Sequence, residues 1–217
     1  MSYQDNETIR LNPGFRKPSF SSIEIRDILI SMLVLSVAFT IIFASNNTSY
    51  FSKDVVTNTL CWLGISLVIV ASSFIMHEFG HKFVAQRYGA WAEYRMFPGG
   101  LVMCIIFSLL GFLFAAPGAV YINGRISKEM NGKISAAGPM VNLILGSVSF
   151  LICYSTTGIV SGVFGLFTYL NAFLALFNMI PVMPLDGSKI VRWNIPIYIG
   201  MAAVGALLVY LYFTVLI

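Results

Sequence analysis

Long apolar stretches separated by short polar connections dominate the chain, and their lengths predict helices that cross a bilayer. The runs cover residues 28–44, 55 to about 76, 97–116, 136–154, 158–180 and 196–217. Several approach or exceed the roughly 20 residues that a helix needs to span the hydrocarbon. The pattern predicts an all-α polytopic membrane protein: a polar segment at 1–27, then one membrane-embedded domain at 28–217. The leading segment holds Pro13 and Pro18 and lacks the apolar core and cleavage site of a removable signal. The first span is therefore expected to act as the insertion signal.

Composition agrees and excludes an ordinary soluble protein. Hydrophobic residues make up 58% of the chain, charged residues 10%, and mean hydropathy is +0.83. A net charge of +4 would ordinarily suggest an acidic partner. Here the first use of Lys and Arg is orientation in the bilayer, and no nucleic-acid partner is expected. Arg10, Arg16, Lys17 and Arg26 precede the first span, and Lys53 lies in the first loop. Lys82, Arg87 and Arg95, then Arg125, Lys128 and Lys133, then Lys189 and Arg192 fill three later connections. The positive-inside rule places those three connections and the N-terminus in the cytoplasm, and 46–54, 155–157 and the C-terminus outside. Lys82, Arg87 and Arg95 are then most simply topogenic or headgroup-binding charges.

This assignment constrains residues 97–116. A single crossing would export the basic segment 121–135 and invert every later span. The reading is therefore five crossing helices plus a re-entrant or hairpin segment, opened by Pro98-Gly99-Gly100 and closed by Pro117-Gly118. Ala119–Ile122 followed by Asn123-Gly124 reads as a short strand and turn, giving a β element near 117–127.

The candidate chemistry lies in His77-Glu78-Phe79-Gly80-His81, which contains both histidines of the chain. On a helix, positions i and i+4 share a face, so two imidazoles can hold one Zn²⁺ while the glutamate between them flanks the metal as a general base. A catalytic zinc needs a third protein ligand and an open position for water. Cys61, Cys104 and Cys153 lie in apolar runs without paired spacing and read as small hydrophobes. After residue 94 the acids are Glu129 and Asp186, and Asp186 follows an otherwise uncharged span. An acid at the hydrocarbon edge is costly unless paired or coordinated, which favours Asp186 as the ligand over a solvated turn residue. Its span runs inward only if 97–116 turns back, so charge bias and metal closure select one topology.

His77-Glu-Phe-Gly-His81 together with Asn178-x-x-Pro181-x-x-Pro184-x-Asp186-Gly187 resembles the paired signature of the site-2 protease family of intramembrane zinc metalloproteases. Ala137-Gly138-Pro139-x-x-Asn142 is similar to a further segment of that family, and the likeness covers roughly residues 60–192. The resemblance implies one zinc held by His77, His81 and Asp186, with Glu78 as catalytic base and Asn178 assisting at the substrate carbonyl. It also implies transmembrane helical protein substrates, cut within the bilayer from the cytoplasmic side of the cell membrane. Ser188 stands where a second glycine is common, and segment 97–120 is longer and more apolar than the usual loop.

Three further expectations follow. Ala119–Ile122 offers a strand edge on which an unwound substrate could be held. The small residues Gly158, Ser161, Gly162 and Gly165 should pack the fifth span against the second. A rival reading uses the same ligands in a non-proteolytic membrane metal transporter or metal-binding protein, which leaves Glu78 without a role. A prenyl-protein type of zinc protease would need a later glutamate as third ligand, and none follows Glu129.

Overall fold

The computed structural model describes residues 19–48, 50–112 and 116–216. Arg10, Pro13, Arg16, Lys17 and Pro18, with most of the predicted 1–27 segment, lie outside the described residues. The elements are α1 (Ser22–Asn46), α2 (Val55–Val70), a π-helical turn (Ala71–Ile75), α3 (Met76–Arg87), β1 (Trp91–Met96), α4 (Pro98–Leu109), β2 (Gly118–Asn123), α5 (Lys128–Ser155), α6 (Gly158–Asn178), α7 (Gly187–Trp193) and α8 (Ile195–Leu211), which ends in a second π-helical turn (Tyr212–Leu216). Among the described residues five helices are long and apolar enough to cross a membrane: α1, the continuous rod Val55–Arg87, α5, α6 and Ile195–Leu216. The protein is an all-α multi-pass membrane protein with one small sheet.

The helix starts follow local chemistry rather than the onset of hydrophobicity. Ser21 caps α1 by accepting from the Glu24 amide at 3.1 Å, so the first helix begins at Ser22, ahead of the apolar run. Ser127 likewise accepts from the Met130 amide at 3.1 Å, and α5 begins at Lys128, with Pro139 accommodated inside it. Asp54 caps α2 and Asn194 caps α8. The second crossing extends to Arg87, beyond the apolar run, because α3 buries its polar face inside the protein.

Residues 97 and 117, at the two ends of the predicted hairpin, meet. Helix α4 has 12 residues, about 18 Å of helix against roughly 30 Å of hydrocarbon, so it cannot cross. Its base is closed by an antiparallel pairing of β1 with β2, in which Met96 sits opposite Gly118, and by the Phe97 amide donating to the Pro117 carbonyl at 2.7 Å. The hairpin and the second strand match expectation. Strand β1 was not anticipated, although Ala92 and Tyr94 are buried while Trp91 is exposed and Glu93 and Arg95 are only partly covered, the period-2 pattern of a strand with one face inward.

The core lies where α1, α2 and α6 meet, around Leu35, Phe39, Trp62, Ile69, Val70 and Leu170. A second cluster joins α5, α6, α7 and α8 through Leu143, Ala172, Met179, Ile190 and Met201. The small residues of α6 serve a different contact from the one predicted. Gly162 faces the Tyr50 hydroxyl and Gly165 faces Cys153 Sγ on α5, and Ser161 donates to the Cys153 carbonyl at 3.1 Å. They lie at the end of the α5–α6 pair away from His77 and His81, and α6 meets the second crossing instead through Leu170 in the apolar core and through the polar side chain of Asn171, described below.

Lys82 is not a surface charge. It is fully buried, paired with the equally buried Glu24, and it donates to the Ser19 carbonyl at 2.7 Å with the Phe20 ring 3.9 Å away. Glu24 also accepts from the Tyr94 amide at 3.0 Å, and the Tyr94 hydroxyl shares a hydrogen bond with Ser31 at 2.9 Å. The start of α1, helix α3 and strand β1 are thus tied by one ion pair. Removing one partner of such a pair strands a buried charge, at a cost of roughly 3–5 kcal/mol. Lys82→Met should therefore lower the unfolding temperature in detergent sharply, and adding Glu24→Gln, which keeps an acceptor for the Tyr94 amide, should restore most of it. Equal losses in the single and double variants would show that stranded charge is not the cause.

Candidate metal centre

His77 and His81 stand one turn apart on α3, and Asp186 comes to them from the start of α7. Their candidate ligand atoms, His77 Nε2, His81 Nε2 and Asp186 Oδ2, lie within 4.8 Å of one another. The two Nε2 atoms are 3.1 Å apart, and Asp186 Oδ2 is 3.1 Å from His81 Nε2 and 3.6 Å from His77 Nε2. Ligands about 2 Å from a tetrahedral zinc are spaced roughly 3.3 Å from one another, the spacing found here. Asp186 is delivered by the bend that ends α6 at Asn178 and runs through Pro181 and Pro184. Its backbone carbonyl accepts from the Lys189 and Ile190 amides at 2.9 and 3.0 Å, and Ile190 is fully buried, anchoring α7.

The far nitrogens decide what the near ones can do. His81 Nδ1 lies 2.8 Å from the Ile134 carbonyl, which can only accept, so Nδ1 carries the proton and Nε2 the lone pair. His77 Nδ1 lies 2.5 Å from Asn142 Oδ1. The Asn142 amide nitrogen already donates to the Ser73 carbonyl at 3.2 Å and to Asn171 Oδ1 at 2.9 Å, which leaves its oxygen toward His77. Both imidazoles therefore present bare lone pairs beside a carboxylate oxygen. Three such atoms face to face repel one another unless a cation lies among them, and the donor set of two nitrogens and one oxygen suits zinc. The second oxygen of Asp186, Oδ1, is 3.6 Å from Lys189 Nζ.

Close approach of α3 and α5 makes these contacts possible. A Cβ on Gly80 would sit 2.9 Å from the Ala137 carbonyl oxygen, and a Cβ on Gly138 would run into the Nε2 atoms of both histidines. Backbone therefore meets backbone across this pair of helices.

Glu78 is buried beside its histidine neighbours and lines the same cavity of about 560 Å³, within hydrogen-bonding reach of the Val120 backbone on β2. Asn178 lines that cavity as well, with its amide nitrogen donating to the Leu174 carbonyl at 2.9 Å and no contact to the three converging groups. Among the described residues no other cluster of three His, Cys, Asp or Glu groups converges in this way. Glu129 is exposed and paired with Lys133 at 2.6 Å. Cys104 is packed in the α1–α2 core, and Cys153 points its sulfur at Ser161. The residues that reading the sequence missed are Asn142 as a partner of His77, Ile134 as a partner of His81, and Asn171 and Ser73 behind them. Asn142 and Asn171, each flanked by apolar residues inside a predicted span, were the available signal.

Comparison with known proteins decides the family. Over 197 residues, 87% of this chain and 95% of the relative, the sequence is 41% identical to “Putative zinc metalloprotease MJ0611” of Methanocaldococcus jannaschii. The chain belongs to this family of zinc metalloproteases. It is also 29% identical over 141 residues to “Zinc metalloprotease MJ0392” of the same organism, of which it spans 36%. Similarity to “Putative zinc metalloprotease YwhC” of Bacillus subtilis is 30% over 161 residues. No family model matches the chain, and no solved structure does.

The position of Gly138 gives a direct check on the centre. Gly138→Ala should cut the zinc content of purified protein from about one per chain to a small fraction, because the new methyl group occupies the space of the ligand nitrogens. Full zinc content in that variant, measured by elemental analysis, would show that α5 does not frame the centre.

Proposed function

We propose that the protein is a site-2 type intramembrane protease that hydrolyses peptide bonds within transmembrane segments of other membrane proteins. The observation that carries this is the convergence of His77, His81 and Asp186 in a cavity walled by membrane-crossing helices. A zinc bound by these three residues would acidify a water and polarise the scissile carbonyl. Glu78 takes the proton of the attacking water and returns it to the leaving amine. Asn178 sits on the cavity wall, where its amide serves the developing oxyanion once it leaves the Leu174 carbonyl.

A substrate helix hides its peptide bonds in internal hydrogen bonds, so it must be unwound to react. Strand β2 lines the cavity and pairs on one edge with β1. Its second edge is where an extended substrate is held beside Glu78. The lipid bilayer is the working medium. The orientation follows from charge: among the described residues Lys53 is the one basic residue in the connections at the end away from the metal ligands, whereas Arg87, Arg95, Arg125, Lys189 and Arg192 lie at their end. The positive-inside rule puts the site near the cytoplasmic face of the cell membrane. A metal transporter built on the same ligands is disfavoured, since it gives Glu78 no task.

Glu78→Gln should retain zinc and lose cleavage of a labelled transmembrane peptide by a factor of about 10²–10⁴, the usual contribution of a general base. Undiminished cleavage in that variant would exclude the mechanism, and metal transport surviving it would favour the rival. Asp186→Asn should weaken zinc binding, and unchanged affinity would remove Asp186 from the ligands. Proline scanning across residues 119–122 should reduce cleavage without loss of zinc, and wild-type rates throughout would remove the strand edge from substrate binding.

A further inference from the structure

Asn171 is completely buried on α6, in the apolar stretch Tyr169-Leu170-Asn171-Ala172-Phe173, and it touches no candidate ligand. Its amide nitrogen donates to the Phe167 carbonyl at 2.9 Å and to the Ser73 hydroxyl at 3.0 Å. Both donor hydrogens are thereby used, and its Oδ1 turns to Asn142 Nδ2 at 2.9 Å. Asn142 Nδ2 spends its other hydrogen on the Ser73 carbonyl at 3.2 Å, so Asn142 Oδ1 faces His77 Nδ1. Two groups that can only accept, the carbonyls of Phe167 and Ser73, fix the direction of the whole chain of hydrogen bonds.

We infer that Asn171 is a positioning residue for His77, acting through Asn142 to hold the imidazole in the tautomer whose Nε2 is free to bind metal. Reversing Asn171 would set two NH₂ groups against each other. Reversing Asn142 would press its NH₂ on His77 Nδ1 and drive the ring proton to Nε2, where it blocks coordination. Ser73 belongs to the π-helical turn Ala71–Ile75, one turn before His77. From that turn it offers its carbonyl to α5 and its hydroxyl to α6. The turn and the two asparagines bind three crossing helices into one orienting frame.

This inference rests on the reading of His77 as a zinc ligand, and the experiment separates the two. Zinc affinity by chelator competition and the melting temperature of the metal-free protein are measured on the full chain in detergent. The proteins are wild type, Asn171→Leu, Asn171→Ala, Asn171→Asp and His77→Ala. Asn171→Leu should weaken zinc binding about 10–100-fold, the scale of losing a partner behind a metal ligand. Asn171→Ala, which cannot clash, carries the same expectation if the leucine variant does not fold. Asn171→Asp still presents an oxygen to Asn142 and should bind zinc nearly as wild type. Wild-type affinity in the leucine or alanine variant, with affinity lost in His77→Ala, overturns the relay and leaves the ligand reading standing. An aspartate variant as weak as the alanine one assigns Asn171 to packing and overturns the relay as well. Wild-type affinity in His77→Ala overturns the ligand reading itself.

Discussion

Two imidazole lone pairs and a carboxylate oxygen held about 3 Å apart inside an apolar protein are the constraint on which the rest of the architecture depends. With little water to screen them these groups repel, so the arrangement is stable around a cation and strained without one. The fold supplies what that requires. The π-helical turn joins α2 to α3 and sets Ser73 against α5 and α6. The paired glycines at 80 and 138 let α5 approach closely enough for the Ile134 carbonyl to reach His81. The bend after α6, fixed by α7, brings the acid from the far end of the sequence.

The same economy explains why the polar residues behind the histidine helix are tied to one another. A buried amide or hydroxyl without a partner costs about 1–3 kcal/mol, so polar groups in apolar spans are retained where each satisfies another. Ser73, His77, Asn142 and Asn171 meet this condition, with both hydrogens of each asparagine amide finding an acceptor. Lys82 and Glu24 form a separate charged pair one residue beyond His81, with the Tyr94 amide and the Ser19 carbonyl completing their bonds. The two groups hold the histidine helix from opposite directions: one from α5 and α6, the other from the start of α1 and from β1.

What the sequence made legible was whatever depends on length, charge and spacing. Six apolar runs, the basic connections between them, and a helix too broken by proline and glycine to cross gave the topology with its hairpin. The histidine pair and a lone acid at the end of an uncharged span gave the three groups that converge. Features resting on side chains that cross between elements were hidden. Lys82 read as a topogenic or headgroup-binding charge because it lies just past an apolar run, and its sequence separation from Glu24 conceals their contact. Asn171 carried no reading of its own, since nothing in the local pattern says that Asn142 stands opposite. The helix starts at Ser22 and Lys128 were lost because hydrophobicity begins later than the capping residues Ser21 and Ser127.

The cavity itself shows how a water-consuming reaction suits this setting. Its far walls, Leu35, Phe39, Ile69, Val70 and Leu170, are buried and wholly apolar, and offer water no hydrogen bonds. Its near end carries Glu78, Asn131, Ser135, Asp186 and Lys189, groups that can hold water. The convergent histidines stand on the boundary between the two. On the function proposed above, an apolar substrate segment entering from the bilayer would meet surroundings like those it left, and would encounter polar groups only at the converging histidines and Asp186. The polarity step follows from the fold, because α3 has passed its apolar stretch, α6 has just ended, α7 begins and β2 passes alongside, all at one level.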